Sequence, residues 1–467
     1  MALAVPLILS AGFMTVQITL DRLMLSWYGR AEVAASFPAS MLFWLPFGAF
    51  QGVSAYVVTF VAQYVGAGRP KRVGPALWQG IHFSIVTGLL FLLLLPFASS
   101  YVALGGHDES LQRLETIYLR TLCFSALPSL VNAAIGGFFS ARGAPWTVLL
   151  INLLGTAVNG VLDYLLIFGK FGCPEMGIEG AGWATVAGAW TTALFGFALV
   201  LRPTFQRQYN TLLGWKPDRD LFRRLLRFGG PAGLQMFLDI LAFTIFTLLV
   251  GRLGANVAAA VSIAITFNLL AFLPMHGMGQ AAAILVSRRL GENKPELAER
   301  STLVAFRWAI TYMTVIAGVL VIYPQPLIEL FRTGATMTES AEAVAADWAE
   351  VAEIIPRLLI LIAIYSIADA AGIVFSCALR GAGDTRFVTW MTFGLAWPLM
   401  VIPTWATISN GGSIYLAWGF ASLYIVAIAL CFWLRFRTGR WKAMRVIEAH
   451  VDEAVPETSE PAKMPAA

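Results

Sequence analysis

Apolar runs about twenty residues long, separated by short and mostly basic connections, recur along nearly the whole chain. A bilayer core about 30 Å thick takes roughly 20 helical residues to cross, so each run is a candidate span. Twelve can be marked, at 2–27, 36–64, 75–99, 114–141, 145–168, 178–201, 229–251, 257–286, 301–323, 357–380, 387–408 and 413–435. Inside hydrocarbon a backbone must satisfy its own N–H and C=O groups, which a helix does within one segment. The expected fold is an all-α membrane protein with twelve transmembrane helices. Composition agrees: 58% of the residues are hydrophobic and 13% charged, where a soluble chain carries about 25% charged residues. The lipid bilayer is the first partner implied.

The net charge of +5 does not point to nucleic acid, because the basic residues gather in alternate loops. The second, fourth, sixth, eighth and tenth connections carry Arg69, Lys71 and Arg72; Arg142; the run from Arg202 to Arg227; Arg288, Arg289, Lys294 and Arg300; and Arg380 and Arg386. The odd connections carry far fewer. By the positive-inside rule both termini face the cytoplasm, in a multi-pass cell (inner) membrane protein. The start lacks the basic n-region of a cleavable signal, so the first apolar run reads as a retained span. Four scattered cysteines and four scattered histidines form neither a disulfide framework nor a metal cluster. No nucleophile–base grouping suggests an enzyme, and no GxxxxGK[ST] loop suggests ATP use.

The chain also repeats itself. Pro6 matches Pro231, Gly29 matches Gly254, and the stretch ending Gly66-Ala-Gly-Arg-Pro70 matches that ending Gly291-Glu-Asn-Lys-Pro295. All are 225 residues apart (231 − 6, 254 − 29, 291 − 66). Arg142-Gly-Ala matches Arg380-Gly-Ala after a further insertion. Two pseudo-symmetric six-helix lobes are therefore expected, an N-lobe at 1–215 and a C-lobe at 216–445, with a disordered cytoplasmic tail at 446–467. An even helix count makes the halves parallel repeats about an axis along the membrane normal, with substrate held between them.

Four aspartates lie inside apolar runs: Asp21, Asp163, Asp239 and Asp369. An ionised aspartate at a helix centre costs about 2.5–3.5 kcal/mol on insertion scales, so four facing lipid would cost roughly 10–14 kcal/mol. They must instead line water, bind a cation, share hydrogen bonds or carry a proton. Asp21 also has a bland reading, a local pair with Arg22 near a helix end, and Asp163 one as a hydrogen-bonded core residue. Asn159 and Asp163 are four residues apart and share a helix face, as do Tyr365 and Asp369. With Asp21 from another helix, the first pair supplies oxygen donors suited to a hard cation. The second sets an aromatic ring one turn from a carboxylate, which suits sodium or an organic cation. Pro6 and Pro231 fall inside helices, where each frees a carbonyl and permits bending. Asn268, His276 and Gln280 read as interhelical hydrogen-bonding groups.

These stretches (Pro6 to Asp21, FVAQYVGAGRP, NGVLDYLLIFGKFG followed by GIEGAGWAT, and SCALRGAGDTR) resemble the multidrug and toxic compound extrusion family, NorM-like branch. The resemblance covers about residues 2–440. It implies an N-lobe cation site of Asp21, Asn159, Asp163 and Thr185 with the backbone of Ala181. It implies a C-lobe site of Asp239, Asp369 and Tyr365, although glutamate is commoner than aspartate at position 239. The expected function is secondary efflux of amphipathic organic cations in exchange for Na⁺ or H⁺, by a monomer without cofactor. The rival readings are a lipid-linked oligosaccharide flippase of the same superfamily and a membrane-embedded enzyme or channel.

Overall fold

The computed structural model describes residues 3–326, 329 and 341–448, apart from the side chains at 14, 255, 256, 258 and 341–350. Among the described residues no strand occurs, and twelve helices are long and apolar enough to cross a membrane. They are α1 Ala4–Tyr28, α2 Arg30–Gly66, α3 Pro70–Ala103, α4 Glu109–Ala141, α5 Pro145–Phe168, α6 Ile178–Val200, α7 Arg219–Gly251, α8 Ala259–Gly291, α9 Pro295–Ile322, α10 Val351–Ala382, α11 Thr385–Ser409 and α12 Ile414–Arg437. Each expected span is present, and several overrun their apolar windows. Thus α7 begins at Arg219, not near 229, because Asp218 caps it: the carboxylate accepts from Asp220 N and Leu221 N, both at 3.1 Å. The basic first turns then continue the helix beyond the hydrocarbon.

Packing within the two halves follows one pattern. In the first, α1 packs on α5, α2 and α6 on α4, α3 on α4, and α5 on α6. In the second, α7 packs on α11, α8 and α12 on α10, α9 on α10, and α11 on α12. These are the same pairs moved on by six helices. The seam obeys the same symmetry: α1 meets α8, α7 meets α2, and α2 meets α8.

The repeated glycines explain how closely the lobes meet. A Cβ on Gly66 would collide with the carbonyl oxygen of Arg288, and one on Gly291 with that of Gln63. Since 288 − 63 and 291 − 66 are both 225, these are one contact made twice. Farther along, Gly52 and Gly233 touch backbone to backbone, and Gly277 rests on the backbone of Ile8.

Buried side chains divide the molecule into a fork. At the basic end, residues from both lobes form a shared core, including Val57, Phe60, Phe138, Ala232, Met275 and Ala282. At the far end the lobes keep separate cores, one around Phe43, Phe47, Phe91 and Leu119 and the other around Phe246, Ile355, Leu358 and Trp418. The lobes therefore join at the basic end and part toward the other.

One expectation needs correction, and the two repeated prolines differ in place. Pro6 is the third residue of α1 as described, in its first turn. Pro231 does lie in a helix interior, and its carbonyl accepts from Thr389 Oγ1 at 2.7 Å. The chain beyond Arg445 is expected from its composition to be disordered, yet Val446 and Ile447 are buried and Glu448 is hydrogen-bonded to the N-lobe. Apolar side chains and a carboxylate beside two arginines hold it there. The rest of that tail lies outside the described residues.

The glycine seam yields a test. Gly66→Val and Gly291→Val should each destabilise the protein by about 1–3 kcal/mol through overpacking, read as a lowered melting temperature in detergent. Gly394→Ala, where an added Cβ meets nothing within 4 Å, should be neutral or slightly stabilising. Equal melting temperatures for all three would refute the close-contact account.

Candidate functional site

The N-lobe brings its predicted residues together. Asp21 projects from α1, Asn159 and Asp163 from one face of α5, and Ala181 and Thr185 from α6. Small residues let α5 and α6 approach: a Cβ on Gly188 would lie 2.9 Å from the Gly155 carbonyl oxygen and 3.0 Å from Cβ of Asn159. Asn159, Asp163 and Ala181 are fully buried, and Asp21 is 7% exposed. Thr185 Oγ1 donates to Asp21 Oδ2 at 3.4 Å. Asp21 faces both Asp163 and Asn159.

Partners are then in short supply. Asp21 Oδ1, both carboxylate oxygens of Asp163, and both amide atoms of Asn159 are buried and find no partner beyond one another. Unpaired buried polar atoms are rare and costly, about 1–3 kcal/mol each and more for charged groups. Five in one pocket, four of them acceptor oxygens, make a cradle for a positive guest. A proton between the carboxylates or a small hard cation would satisfy it; a bulky one has no room.

Arg22 does not serve as the guest. Adjacent helical residues point about 100° apart, and the Arg22 guanidinium sits 5.0 Å over the Phe37 ring. The local Asp21–Arg22 pair considered from sequence is not formed among the described ion pairs. Sequence reasoning missed Tyr118 on α4, which is buried within electrostatic reach of Asp21, Asp163 and Arg22. No spacing rule singles out a tyrosine from a fourth helix.

The C-lobe arrangement is more open. Asp239 on α7 keeps exposed surface, and Asp369 on α10 is half-buried. The groups acting on Asp239 are Arg380 and Gln235. Tyr365 is buried beside Asp369, and Tyr424 on α12 lies within reach of both acids. All three predicted residues thus share one region of the lobe, joined through Tyr424. Arg380, assigned from sequence to a loop, belongs to α10; its Nη2 lies 3.0 Å from Cys377 Sγ, and His276 is within its electrostatic reach. His276 and Gln280 bond to each other along α8 at 2.8 Å, not between helices.

Beside the N-lobe pocket, an apolar groove of about 560 Å³ runs between α1 and α5, lined by Phe13, Val16, Leu20, Gly160, Val161 and Tyr164 among others. Leu20 and Gly160 adjoin Asp21 and Asn159 in sequence, so one wall separates the groove from the cradle.

The MatE family model matches this chain twice, over residues 6–165 and 231–406, each match opening on one of the repeated prolines. The chain belongs to the MatE family. It is similar to a protein of Bradyrhizobium diazoefficiens named probable multidrug resistance protein NorM, with 30% identity over 88% of this chain and 90% of that one. A solved structure described as the outward-facing conformation of a multidrug resistance MATE family transporter of the MOP superfamily has the same fold. Its TM-score is 0.83 at 20% identity, covering 94% of this chain and 95% of that one. A Pyrococcus furiosus MOP superfamily transporter, for which a reversed polarity of the binding pocket is said to suggest a different function, matches at TM-score 0.82 and 20% identity over 94% and 95%.

Isosteric amides test the cradle. Asp163→Asn removes one of two confined carboxylates and should raise the melting temperature by about 2 °C, the scale of a 1 kcal/mol gain in a large chain. Added NaCl (against choline chloride), or a drop in pH, should raise the melting temperature of the wild type and not of the variant. Identical salt and pH responses in the two proteins would rule out a cation or proton at this pocket.

Proposed function

We propose that this chain is a multidrug efflux transporter that exports amphipathic organic cations in exchange for an inward-moving Na⁺ or H⁺. The observation that carries this reading is the set of unpaired polar atoms on Asp21, Asn159 and Asp163, enclosed where only a proton or small cation fits. The names of the NorM relatives support the substrate class. With the basic end in the cytoplasm, as the loop charges favour, the fork is an outward-facing state in a cell membrane. Both sites lie within one chain, so a monomer suffices.

The two lobes then divide the work by solvent access. The enclosed N-lobe pocket takes the coupling ion. The exposed Asp239 and half-buried Asp369, with Tyr365 and Tyr424 near, suit a larger cation that is only partly stripped of water. When the ion enters from the far side it neutralises the Asp21–Asp163 pair; the charge balance of the fork changes, and the organic cation leaves. Return to the other state carries the ion inward. Each net charge crossing is worth about 2.3 kcal/mol per 100 mV, sufficient for a roughly fifty-fold gradient. No covalent chemistry is asked of any residue, in keeping with a transporter and not an enzyme. The flippase reading fares less well, since a pyrophosphate-linked cargo calls for a cationic cavity and the membrane-embedded sites here are led by acids.

Purified protein in liposomes should move ethidium faster under an imposed Na⁺ or pH gradient, and Asp163→Asn should abolish that gradient dependence. Asn159→Ala should lower the coupled rate by about tenfold, on the loss of one charge-assisted contact. Ethidium movement indifferent to both gradients in the wild type would sink coupled exchange.

A further inference from the structure

Past α12 the chain crosses from one lobe to the other. Its first part is fixed to the C-lobe. Trp441 stacks on Phe436 with ring centroids 4.8 Å apart, and its Nε1 donates to the Phe436 carbonyl oxygen at 2.8 Å. Lys442 Nζ lies 2.6 Å from Glu299 Oε2, and Arg445 Nη2 donates to Asn293 Oδ1 at 3.3 Å. Its last described part is fixed to the N-lobe. Val446 N donates to Gln63 Oε1 at 2.9 Å. Tyr64 OH donates to Glu448 Oε2 at 2.7 Å, and Arg72 Nε to Glu448 Oε1 at 3.2 Å. Arg69 Nη1 lies 3.5 Å from the same oxygen and donates to the Glu448 carbonyl at 3.3 Å.

We infer that residues 440–448 form a releasable tie across the basic end, with the Glu448 carboxylate as its clasp, and that the tie must detach whenever that end opens. It spans the seam where the Gly66 and Gly291 contacts close it, at Gln63. It also breaks the pseudo-symmetry. In the connection after α6, Thr211 stays on its own lobe before the chain runs on into α7: its Oγ1 donates to Val200 O, and Trp78 Nε1 donates to its carbonyl. A permanent join would bury its charges completely, whereas Glu448 keeps 27% of its side chain exposed and Arg72 keeps 40%. Arg72 also has a second partner, Asp218 Oδ2 at 3.3 Å. When Glu448 leaves, it returns to water and Arg72 remains paired. The clasp is strong enough to bias a conformational balance and weak enough to let go on each cycle. This inference rests on the alternating-access part of the proposed function and not on its coupling ion.

The clasp should be insensitive to pH across the neutral range. Burial pushes the Glu448 carboxyl up, but the Tyr64 hydrogen bond and the Arg72 guanidinium outweigh it and hold it below the usual glutamate value. A depressed carboxylate contributes stability above its ordinary pKa, about 4.3, and loses it only as pH falls through the lowered value. Tyr64, Arg69 and Arg72 are the groups that face it.

Spin labels at Gln208→Cys and Glu296→Cys, one on each lobe at the basic end, report the opening in the full-length chain with Cys123, Cys173, Cys377 and Cys431 changed to serine. Distances are read in lipid nanodiscs without substrate or gradient. Glu448→Gln should raise the ratio of long to short distances by about tenfold, the effect of about 1.4 kcal/mol, and Glu448→Asp by less. Tyr64→Phe, which removes one hydrogen bond to the same carboxylate and keeps every charge, should shift it in the same direction. The double change Glu448→Gln with Arg69→Gln should exceed the single Glu448→Gln change by little, since both act on one contact. Unchanged distances in both Glu448→Gln and Tyr64→Phe overturn the tie. Because no gradient is applied, that failure is separate from a failure of coupled ethidium transport, and either result stands without the other.

Discussion

Two helix ends can lie backbone against backbone only where neither interposes a side chain, and this molecule uses that contact twice. Gly66 rests on the Arg288 carbonyl and Gly291 on that of Gln63. Between helices in a bilayer no water is released, so association depends on such close packing and on hydrogen bonds. The remaining architecture follows. Once α2 and α8 are pinned at the basic end, their diverging courses carry each lobe away from the other, and the single core there gives way to two.

The acids exploit that division. Within the N-lobe, α5 and α6 approach through Gly155 and Gly188 and enclose three oxygen-bearing residues with α1. The C-lobe acids instead retain contact with solvent space, near an arginine and two tyrosines. The halves share a backbone plan but differ in how exposed each carboxylate is, and the proposed division of guests rests on that difference. Pseudo-symmetry of fold therefore need not mean symmetry of chemistry.

Much of this was legible in the residues because hydrocarbon is an exacting solvent. Span number, the lobe repeat and the buried aspartates are all written in hydropathy, fixed spacing and charge. The i, i+4 pair Asn159/Asp163 declared its shared face without a structure. What the sequence did not display has equally physical reasons. Helices such as α7 outrun the apolar stretch because a cap and basic side chains sustain them in water. Arg380 looks like a loop cation until α10 is seen to carry it beside Asp239. Tyr118 comes to the pocket from a fourth helix, and nothing local marks it. Val446 to Glu448 read as the start of a polar tail, and only the joining of the lobes creates the surface on which they dock.

One helix belongs to both the pocket and the seam. α1 holds Asp21 among the cradle residues, while near its other end Ile8 lies under Gly277 of α8. Thirteen residues separate the two points (21 − 8), about 20 Å of helix at 1.5 Å per residue. α1 runs as one helix from Ala4 to Tyr28, with a charge at one arm and the opposite lobe at the other. Under the proposed exchange, neutralising that charge would reach the far arm as a mechanical load on the neighbouring half.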